Sequence, residues 1–307
     1  MNMNPYTTIS FPGLGIEWDP ARSLDIGGFS IYFYGIIIAT GLLLAVAYAC
    51  KRSSKFGIRE DDLMDGILWI APVAVICARM YYVAFKWEEY AGDFLKIIDI
   101  RSGGLAIYGG VIGAGLCAII HCKIKKMKLP AVLDLVSLGF LIGQFIGRWG
   151  NFFNREAFGS ETDSFLRMGL YNSYTGKWEY HHPTFFYESL WNFVGFVLLH
   201  FLSKKRKYDG QIALGYLAWY GLGRAWIEGL RTDSLYWGPF RVSQLLAAVT
   251  CLVGVVMLIV LSFRPHDPAQ MAVNQMAAPA EEAEAPEEAE APEEAEVAEA
   301  AEEKEEE

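Results

Sequence analysis

The chain has 307 residues, of which 53% are hydrophobic, and its mean hydropathy is +0.22. This balance excludes an ordinary soluble domain and indicates a membrane protein. The formal net charge of −10 does not describe the whole chain, because fifteen Glu and one Lys after residue 280 contribute −14 and residues 1–280 carry +4.

Seven apolar segments follow one another along the chain, each close to the roughly 20 residues that a helix needs to cross a bilayer. They are residues 29–50, 63–85, 104–122, 131–150, 184–202, 211–229 and 242–263. Their length and the lack of period-two alternation favour helices over a β-barrel. We therefore expect an all-α membrane protein with seven transmembrane helices.

The connections between these segments alternate in charge. Lysine or arginine follows the first, third, fifth and seventh segments: Lys51, Lys123, Lys204 and Arg264 are examples. The positive-inside rule then places the N-terminus outside and the C-terminus in the cytoplasm. The long connection 151–183 falls on the outer side, where we expect a small head with a hairpin around Thr175-Gly176.

The chain divides near residue 265. Residues 1–265 form the predicted transmembrane domain, and residues 266–307 form an acidic Ala/Glu/Pro tail that we expect to be disordered and cytoplasmic, because such a composition cannot bury a core. The N-terminal residues show no pattern of a cleavable signal peptide. The cysteines and histidines have no metal-ligand spacing, and the basic clusters lie between apolar segments, so no metal, no cofactor and no nucleic acid is expected.

The most informative stretch is 143–159, which begins as the end of an apolar segment and finishes polar. Arg148 lies in it at membrane depth, and Asn151, Asn154 and Glu156 follow within about two turns. A guanidinium in hydrocarbon costs roughly 3 to more than 10 kcal/mol, so it needs an anion or a water-filled cavity beside it. A snorkelling arginine at a helix end is the alternative. The clustered amides and the acid favour a site.

Five of the predicted helices bring polar residues into the outer half of the bilayer: Tyr34, Arg79, Tyr108, Arg148, Arg224 and Glu228. The three arginines lie about 20–28 Å above the inner ends of their helices, at about 1.5 Å of rise per residue. Ion pairs such as Arg224 with Glu228, or Arg148 with Glu156, would account for some of them. Since acids are few at that level, a bound lipid phosphate, which arginine binds through paired hydrogen bonds, is the simplest remaining partner.

Residues 147–159, Gly-Arg-Trp-Gly-Asn-Phe-Phe-Asn-Arg-Glu-Ala-Phe-Gly, resemble the signature of bacterial prolipoprotein diacylglyceryl transferases. The resemblance covers about residues 10–265 and includes Tyr34-Gly35, Gly103-Gly104 with Gly109-Gly110, His182-Pro183 with Tyr187-Glu188, and Arg224 with Glu228. It implies a seven-helix enzyme of the bacterial plasma membrane that acts at the outer face. The implied partners are phosphatidylglycerol, a preprolipoprotein and the lipid bilayer.

The reaction that the resemblance implies is transfer of the diacylglyceryl group of phosphatidylglycerol to the lipobox cysteine thiol, with formation of a thioether and release of glycerol 1-phosphate. The family's essential positions correspond here to Tyr34, Arg148, Asn151, Glu156, Gly159, Arg224 and Glu228. Arg148 and Arg224 are expected to hold the phosphate and its developing charge. Glu156 and Glu228 would position the arginines, and Glu156 is also a candidate proton acceptor.

Further residues are expected to contact the lipid. Asn151 and Tyr34 would orient its headgroup or ester oxygens, and Arg79 and Gly104 lie at a suitable depth or in a matching motif. His182 also lies in a matching motif, where it either lines the site or packs elsewhere.

One position departs from the family pattern. Many members have a histidine after the Gly-Gly run of the third helix, proposed as the base for the thiol, whereas this chain has Tyr108. A phenol, with a reference pKa of about 10, is a poor base at neutral pH. Either another group activates the thiol, or nearby arginines lower the pKa of the thiol or of Tyr108. Tyr108 is expected to contact the glycerol or the thiol.

Two other classes of membrane protein fit the sequence less well. A small-anion transporter would use the arginines as its substrate site, but the two halves of the chain show no repeat and the arginines lie away from the midplane. An intramembrane protease or a receptor is the second alternative. No Ser/His or paired-Asp signature at membrane depth supports the protease, since Asp62, Asp65 and Asp134 lie at inner helix ends.

Overall fold

The computed structural model describes residues 4–100, 103–232 and 236–276, so the predicted tail from residue 277 lies outside the described residues. In chain order the helices are α1 Phe33–Arg52, α2 Glu60–Phe85, α3 Trp87–Tyr90, α4 Phe94–Ile98, α5 Ile107–Ile124, α6 Leu129–Asn154, α7 Thr184–Ser203, α8 Gln211–Glu228 and α9 Val242–Ser262. The strands are β1 Tyr6–Phe11, β2 Ile16–Trp18, β3 Ser23–Ile26, β4 Phe29–Tyr32, β5 Met168–Asn172, β6 Lys177–His181, β7 Tyr236–Trp237 and β8 Phe240–Arg241.

Long helices occupy all seven apolar segments, so the prediction of helices there is confirmed. Within the described residues, six of these helices are long and apolar enough to cross a membrane. The remaining long helix, α8, has 18 residues and contains Arg224 and Glu228, which make it less apolar. The chain is therefore a mainly helical, multi-pass membrane protein.

Helix α6 lies at the centre of the bundle. It packs against α1 on one side and against α7 and α8 on another. Its fully buried apolar side chains include Leu135, Leu138 and Leu141. Helices α2 and α5 instead pack mainly against each other. Gly109 permits this close approach, because a Cβ there would overlap the backbone of Cys77.

The two ends of the bundle are built differently. One end, called the head end, carries the sheet of β1, β2, β5 and β6. The other, called the tail end, carries the connections from α1 to α2, from α5 to α6 and from α7 to α8. The α2–α5 pair joins the main core at the tail end, where Leu63 and Cys122 share one buried cluster with Leu135.

The head is a four-stranded antiparallel sheet in the order β2-β1-β5-β6. Strands β5 and β6 form a hairpin whose turn contains Gly176 at φ 67°, which confirms the hairpin predicted there. Strands β1 and β2 come from N-terminal residues for which no strand was predicted. Tyr6 donates to Glu179 at 2.7 Å. Burial, reinforced by this carboxylate, raises the pKa of Tyr6 to about 12, and the same hydrogen bond lowers the pKa of Glu179.

Arg155, which belongs to the signature, joins the head to the end of α6. It is 3% exposed and has φ 53°, a left-handed conformation. Its guanidinium donates to the carbonyl of Thr7, to the carbonyl of Pro20 at 2.6 Å and to Asp19 at 2.8 Å. Burial lowers its pKa, but a guanidinium still remains charged at neutral pH. Part of the signature is therefore structural, since Arg155 fixes the N-terminal strands.

At the tail end, residues 264–276 continue past α9 and lie against the bundle. The backbone N–H of Ala272 donates to Asp209 at 2.7 Å. Gly57, at φ 69°, has no room for a Cβ because the backbone of Ala272 lies beside it. The packed chain thus continues beyond the domain boundary expected near residue 265.

Candidate active site

Arg148 lies in the last turns of α6, at the head end. Two residues later, Gly150 faces the ring of Tyr34 on α1, and a Cβ at Gly150 would come within 2.7 Å of that ring. The glycine therefore allows α1 and α6 to approach closely, and it places Tyr34 beside the turn that carries Arg148. Tyr34 remains 36% exposed.

Glu188 of α7 lies at the centre of the polar residues. Its carboxylate pairs with Nη2 of Arg148, with Nη1 of Arg224 at 2.9 Å and with Nη1 of Arg231 at 3.7 Å. Arg224 also pairs through Nη2 with Glu228 at 2.6 Å. These five side chains, here called the arginine–glutamate cluster, come from α6, α7, α8 and the residues just after α8.

The cluster is layered. The side chains of Glu188 and Glu228 are only 4% and 2% exposed, whereas those of Arg148 and Arg224 are 24% and 19% exposed. The two buried carboxylates therefore lie beneath the guanidinium groups and hold them in place. The outer edges of the guanidinium groups are partly exposed. With three guanidinium groups and two carboxylates, these five side chains together carry one positive charge. Such a surface suits a phosphate, which accepts paired hydrogen bonds from arginine.

Of the two ion pairs considered as alternatives, the structure contains one. Arg224 does pair with Glu228, but the carboxylate partner of Arg148 is Glu188. Glu156 instead accepts hydrogen bonds from Asn151 at 3.0 Å and from Asn154 at 3.3 Å. Arg148 donates to Asn151 at 3.4 Å. Glu156 therefore reaches Arg148 through an intervening amide, and it is exposed to solvent.

Gly159 connects the end of the signature to the helices that carry the glutamates. Its N–H donates to the carbonyl of His182 at 2.9 Å, and it forms an antiparallel bridge with Arg231. A Cβ at Gly159 would lie 2.8 Å from His182 and 3.0 Å from the carbonyl of Leu230. Only glycine fits this junction, which places Arg231 beside Glu188.

His182 lies next to this junction and contacts the hydroxyl of Tyr187 at 3.4 Å. Burial lowers the pKa of His182, which favours the neutral imidazole. A neutral imidazole can accept a proton, although this ring already has Tyr187 beside its Nδ1.

Three predicted site residues lie on the α2–α5 pair and its connection. Arg79 donates to the carbonyls of Ile97 at 2.8 Å, of Gly103 at 2.8 Å and of Gly104 at 2.9 Å. Gly104 has φ 74°, a conformation that favours glycine. Tyr108 is 46% exposed on α5. Arg79 therefore holds the loop before α5, and its guanidinium is committed to backbone carbonyls and not to the cluster.

Sequence reasoning did not assign Glu188 or Arg231 to the site. Glu188 had been noted only as part of the Tyr187-Glu188 match, although a carboxylate within an apolar segment is itself a signal of function. Arg231 lies two residues beyond the sixth apolar segment, so the count of charges at membrane depth left it out.

A small recess lies between α7 and α8 beside the cluster. Glu188 and Arg224 line it together with Asn192 and Tyr220. Among the described residues, no group of three or more His, Cys, Asp or Glu side chains is arranged to hold a metal ion.

Apolar helices surround guanidinium groups that buried glutamates hold in place. This arrangement defines an integral-membrane protein with a polar site suited to an anionic headgroup. Comparison with known proteins identifies the family. The sequence model of the family described as prolipoprotein diacylglyceryl transferase matches residues 22–260. The chain belongs to this family and is therefore a transferase.

Curated relatives agree over most of their length. A phosphatidylglycerol–prolipoprotein diacylglyceryl transferase of Bacillus cytotoxicus is 43% identical over 244 residues, which cover 78% of this chain and 90% of the relative. Proteins of the same name from Bacillus cereus strain G9842 and Bacillus anthracis strain CDC 684 are also 43% identical, over the same shares of the two chains.

Proposed function

We propose that this transferase moves the diacylglyceryl group of phosphatidylglycerol to the lipobox cysteine thiol of a preprolipoprotein, forms a thioether and releases sn-glycerol 1-phosphate. This is the first step of bacterial lipoprotein modification. The names of the relatives supply the donor and the acceptor. The observation that carries the proposal is the arginine–glutamate cluster, which presents guanidinium forks from two helices at one end of an apolar bundle.

The proposed arrangement in the membrane has seven crossing helices, with α8 as the less apolar one. The N-terminus and the head lie outside the bacterial plasma membrane, and the C-terminus lies in the cytoplasm. Basic residues at the tail end, such as Lys51, Lys123 and Lys204, support this orientation. The arginine–glutamate cluster then faces the outer leaflet, where phosphatidylglycerol and the substrate's cysteine would meet.

In the proposed mechanism, Arg148 and Arg224 bind the phosphate oxygens of phosphatidylglycerol. The substrate thiolate attacks the diacylglyceryl carbon, the C–S bond forms and the C–O bond to the phosphate breaks. The leaving oxygen keeps the electron pair, so a phosphodiester with one negative charge becomes a monoester that bears more. The single positive charge of the cluster stabilises that increase, which occurs only as the bond breaks.

The remaining residues have supporting roles in this proposal. Tyr34 and Asn151 orient the headgroup beside Arg148. Glu188 and Glu228 fix the guanidinium groups of the two arginines. Glu156, which is exposed, accepts the thiol proton or passes it to water. Arg79 and Gly104 shape the loop that borders the lipid, and Gly159 with His182 shapes the junction under Arg231.

Activity in vesicles tests the proposal directly. Purified full-length protein in phosphatidylglycerol vesicles is expected to release glycerol phosphate in step with thioether formation on a lipobox peptide. A peptide with Ser in place of the lipobox Cys should give no release, because a serine hydroxyl is not ionised at neutral pH. Equal release with both peptides would instead identify a lipase and would overturn the transfer reaction.

Replacement of Tyr108 tests its proposed contact with the glycerol or thiol. We expect Tyr108→Phe to lower kcat/KM by no more than about tenfold, the value of one or two hydrogen bonds, without changing the shape of the pH–rate profile. Tyr108→His should keep activity and add a limb near pH 6.5, the approximate reference pKa of histidine. If Tyr108→Phe removes the limb along which activity rises with pH, Tyr108 is itself the proton acceptor.

A further inference from the structure

Two tryptophans fasten α7 to α8 directly beneath the arginine–glutamate cluster. The indole N–H of Trp191 donates to the backbone carbonyl of Trp219 at 2.9 Å, and the indole N–H of Trp219 donates to the carbonyl of Trp191 at 2.9 Å. Their rings are stacked, with centroids 4.4 Å apart and planes 17° apart. The two bonds are reciprocal, so each ring bridges to the facing helix's backbone.

Each ring also rests on a glycine of the opposite helix. Trp191 lies against Gly223, and Trp219 lies against Gly195, so closely that a Cβ at either glycine would overlap the indole. Each glycine follows a tryptophan by four residues on its own helix, so the pattern Trp-x-x-x-Gly occurs on both α7 and α8. The four residues, here called the tryptophan clamp, fix both the spacing and the axial register of the two helices.

The clamp lies about one helical turn from the ion pair that joins these helices. Glu188 precedes Trp191 by three residues, about 4.5 Å of rise. Arg224 directly follows Gly223, and Trp191 lines the same recess as Glu188 and Arg224. A shift of one helix against the other would therefore change the 2.9 Å contact between Arg224 and Glu188.

We infer that the tryptophan clamp is a positioning element that sets the Arg224 guanidinium against Glu188 for the proposed phosphate contact. This inference depends on the proposed function of the cluster. The clamp touches no reacting atom; it acts through the register of α7 and α8. An arginine that acts on charge developing in the transition state loses kcat when displaced, while ground-state binding and KM change less.

The decisive variant is Gly223→Ala, which puts a methyl group into the space of the Trp191 ring. Its matched control is Gly115→Ala, at a helical glycine on α5 where an added Cβ would meet no atom within 4 Å. In phosphatidylglycerol vesicles with a lipobox peptide, we expect Gly223→Ala to lower kcat by about 10- to 100-fold, the cost of roughly 1 Å of misplacement. KM should change by less than about threefold, whereas Gly115→Ala keeps both constants.

The double variant Trp191→Leu with Gly223→Ala separates the clamp from general damage to α8. Because both changes act on one contact, the double variant should have the same kcat as Trp191→Leu alone. Multiplicative losses would show that the two residues act independently and would overturn the inference.

Further measurements separate folding and function. If Gly223→Ala does not fold, Trp219→Phe is the variant to measure, because it keeps an aromatic ring and removes one indole N–H hydrogen bond. A fall in kcat at an unchanged melting temperature supports the clamp. An unchanged kcat overturns it. Arg224→Ala is assayed in parallel. Full activity of Arg224→Ala would refute the proposed site itself, whereas its inactivity beside a fully active Gly223→Ala would refute only the clamp.

Discussion

Arg148→Ala is expected to lower kcat/KM for diacylglyceryl transfer by about 10³-fold or more, the loss typical of removing a cation that stabilises charge developing on a phosphate in the transition state. Folding should survive, because Glu188 keeps its 2.9 Å pair with Arg224. Arg148→Lys restores the charge but not the planar fork, so it should recover only a small part of the activity. Initial rates of glycerol phosphate release, with a melting curve for each variant, measure both effects.

The matched control for this change is Arg167→Ala. Arg167 lies in the head over the ring of Tyr180 and bonds only nearby backbone carbonyls among the described contacts. It should keep nearly full activity. If Arg148→Ala transfers at more than a tenth of the rate of the unsubstituted protein, this arginine does not belong to the phosphate site.

Glu188→Gln is expected to reduce transfer by about 10²-fold or more, although no role for this residue was assigned from the sequence. The amide keeps the shape of the side chain but leaves the guanidinium groups of Arg148, Arg224 and Arg231 around an uncharged group. Their mutual repulsion would displace the forks from the phosphate. Glu188→Ala should also destabilise the fold by about 3–5 kcal/mol, because it removes the buried carboxylate that pairs with them.

Two comparisons make this result specific. Glu17→Gln, an exposed change in the head, controls for the loss of one carboxylate and should leave activity intact. If the cluster acts as described, activity of Glu188→Gln should stay low at every pH between about 6 and 9, because an amide does not titrate there. Near-normal transfer by Glu188→Gln would mean that Arg148 and Arg224 need no shared carboxylate.

Several elements were readable from the chain itself because their signals are local. In lipid, the backbone N–H and C=O groups must be hydrogen-bonded within the same helix. The length of the apolar segments therefore predicted all seven long helices. The cost of a charge in hydrocarbon drew attention to Arg148 and Arg224 for the same local reason. The signature in 147–159 and its resemblance to one family led to the family that the comparisons identify.

Other elements depended on contacts between distant residues. The strands β1 and β5 pair across more than 150 residues, so the head sheet could not be predicted from either stretch alone. Arg79 resembles a ligand-binding arginine in the sequence, yet it binds the loop carbonyls before α5. Which carboxylate faces Arg148 depends on how α6 and α7 are rotated about their axes.

The sequence by itself thus determined the membrane class, the positions of the long helices, the charged residues that need partners and the family. Only the tertiary structure decided that Glu188 and not Glu156 pairs with Arg148, that the N-terminus completes the head, and that two tryptophans fix α7 against α8. The physical reason is that hydropathy and charge cost are properties of single segments. The partner of a buried charge is set instead by the rotation and register of packed helices, which depend on side chains far apart in the chain.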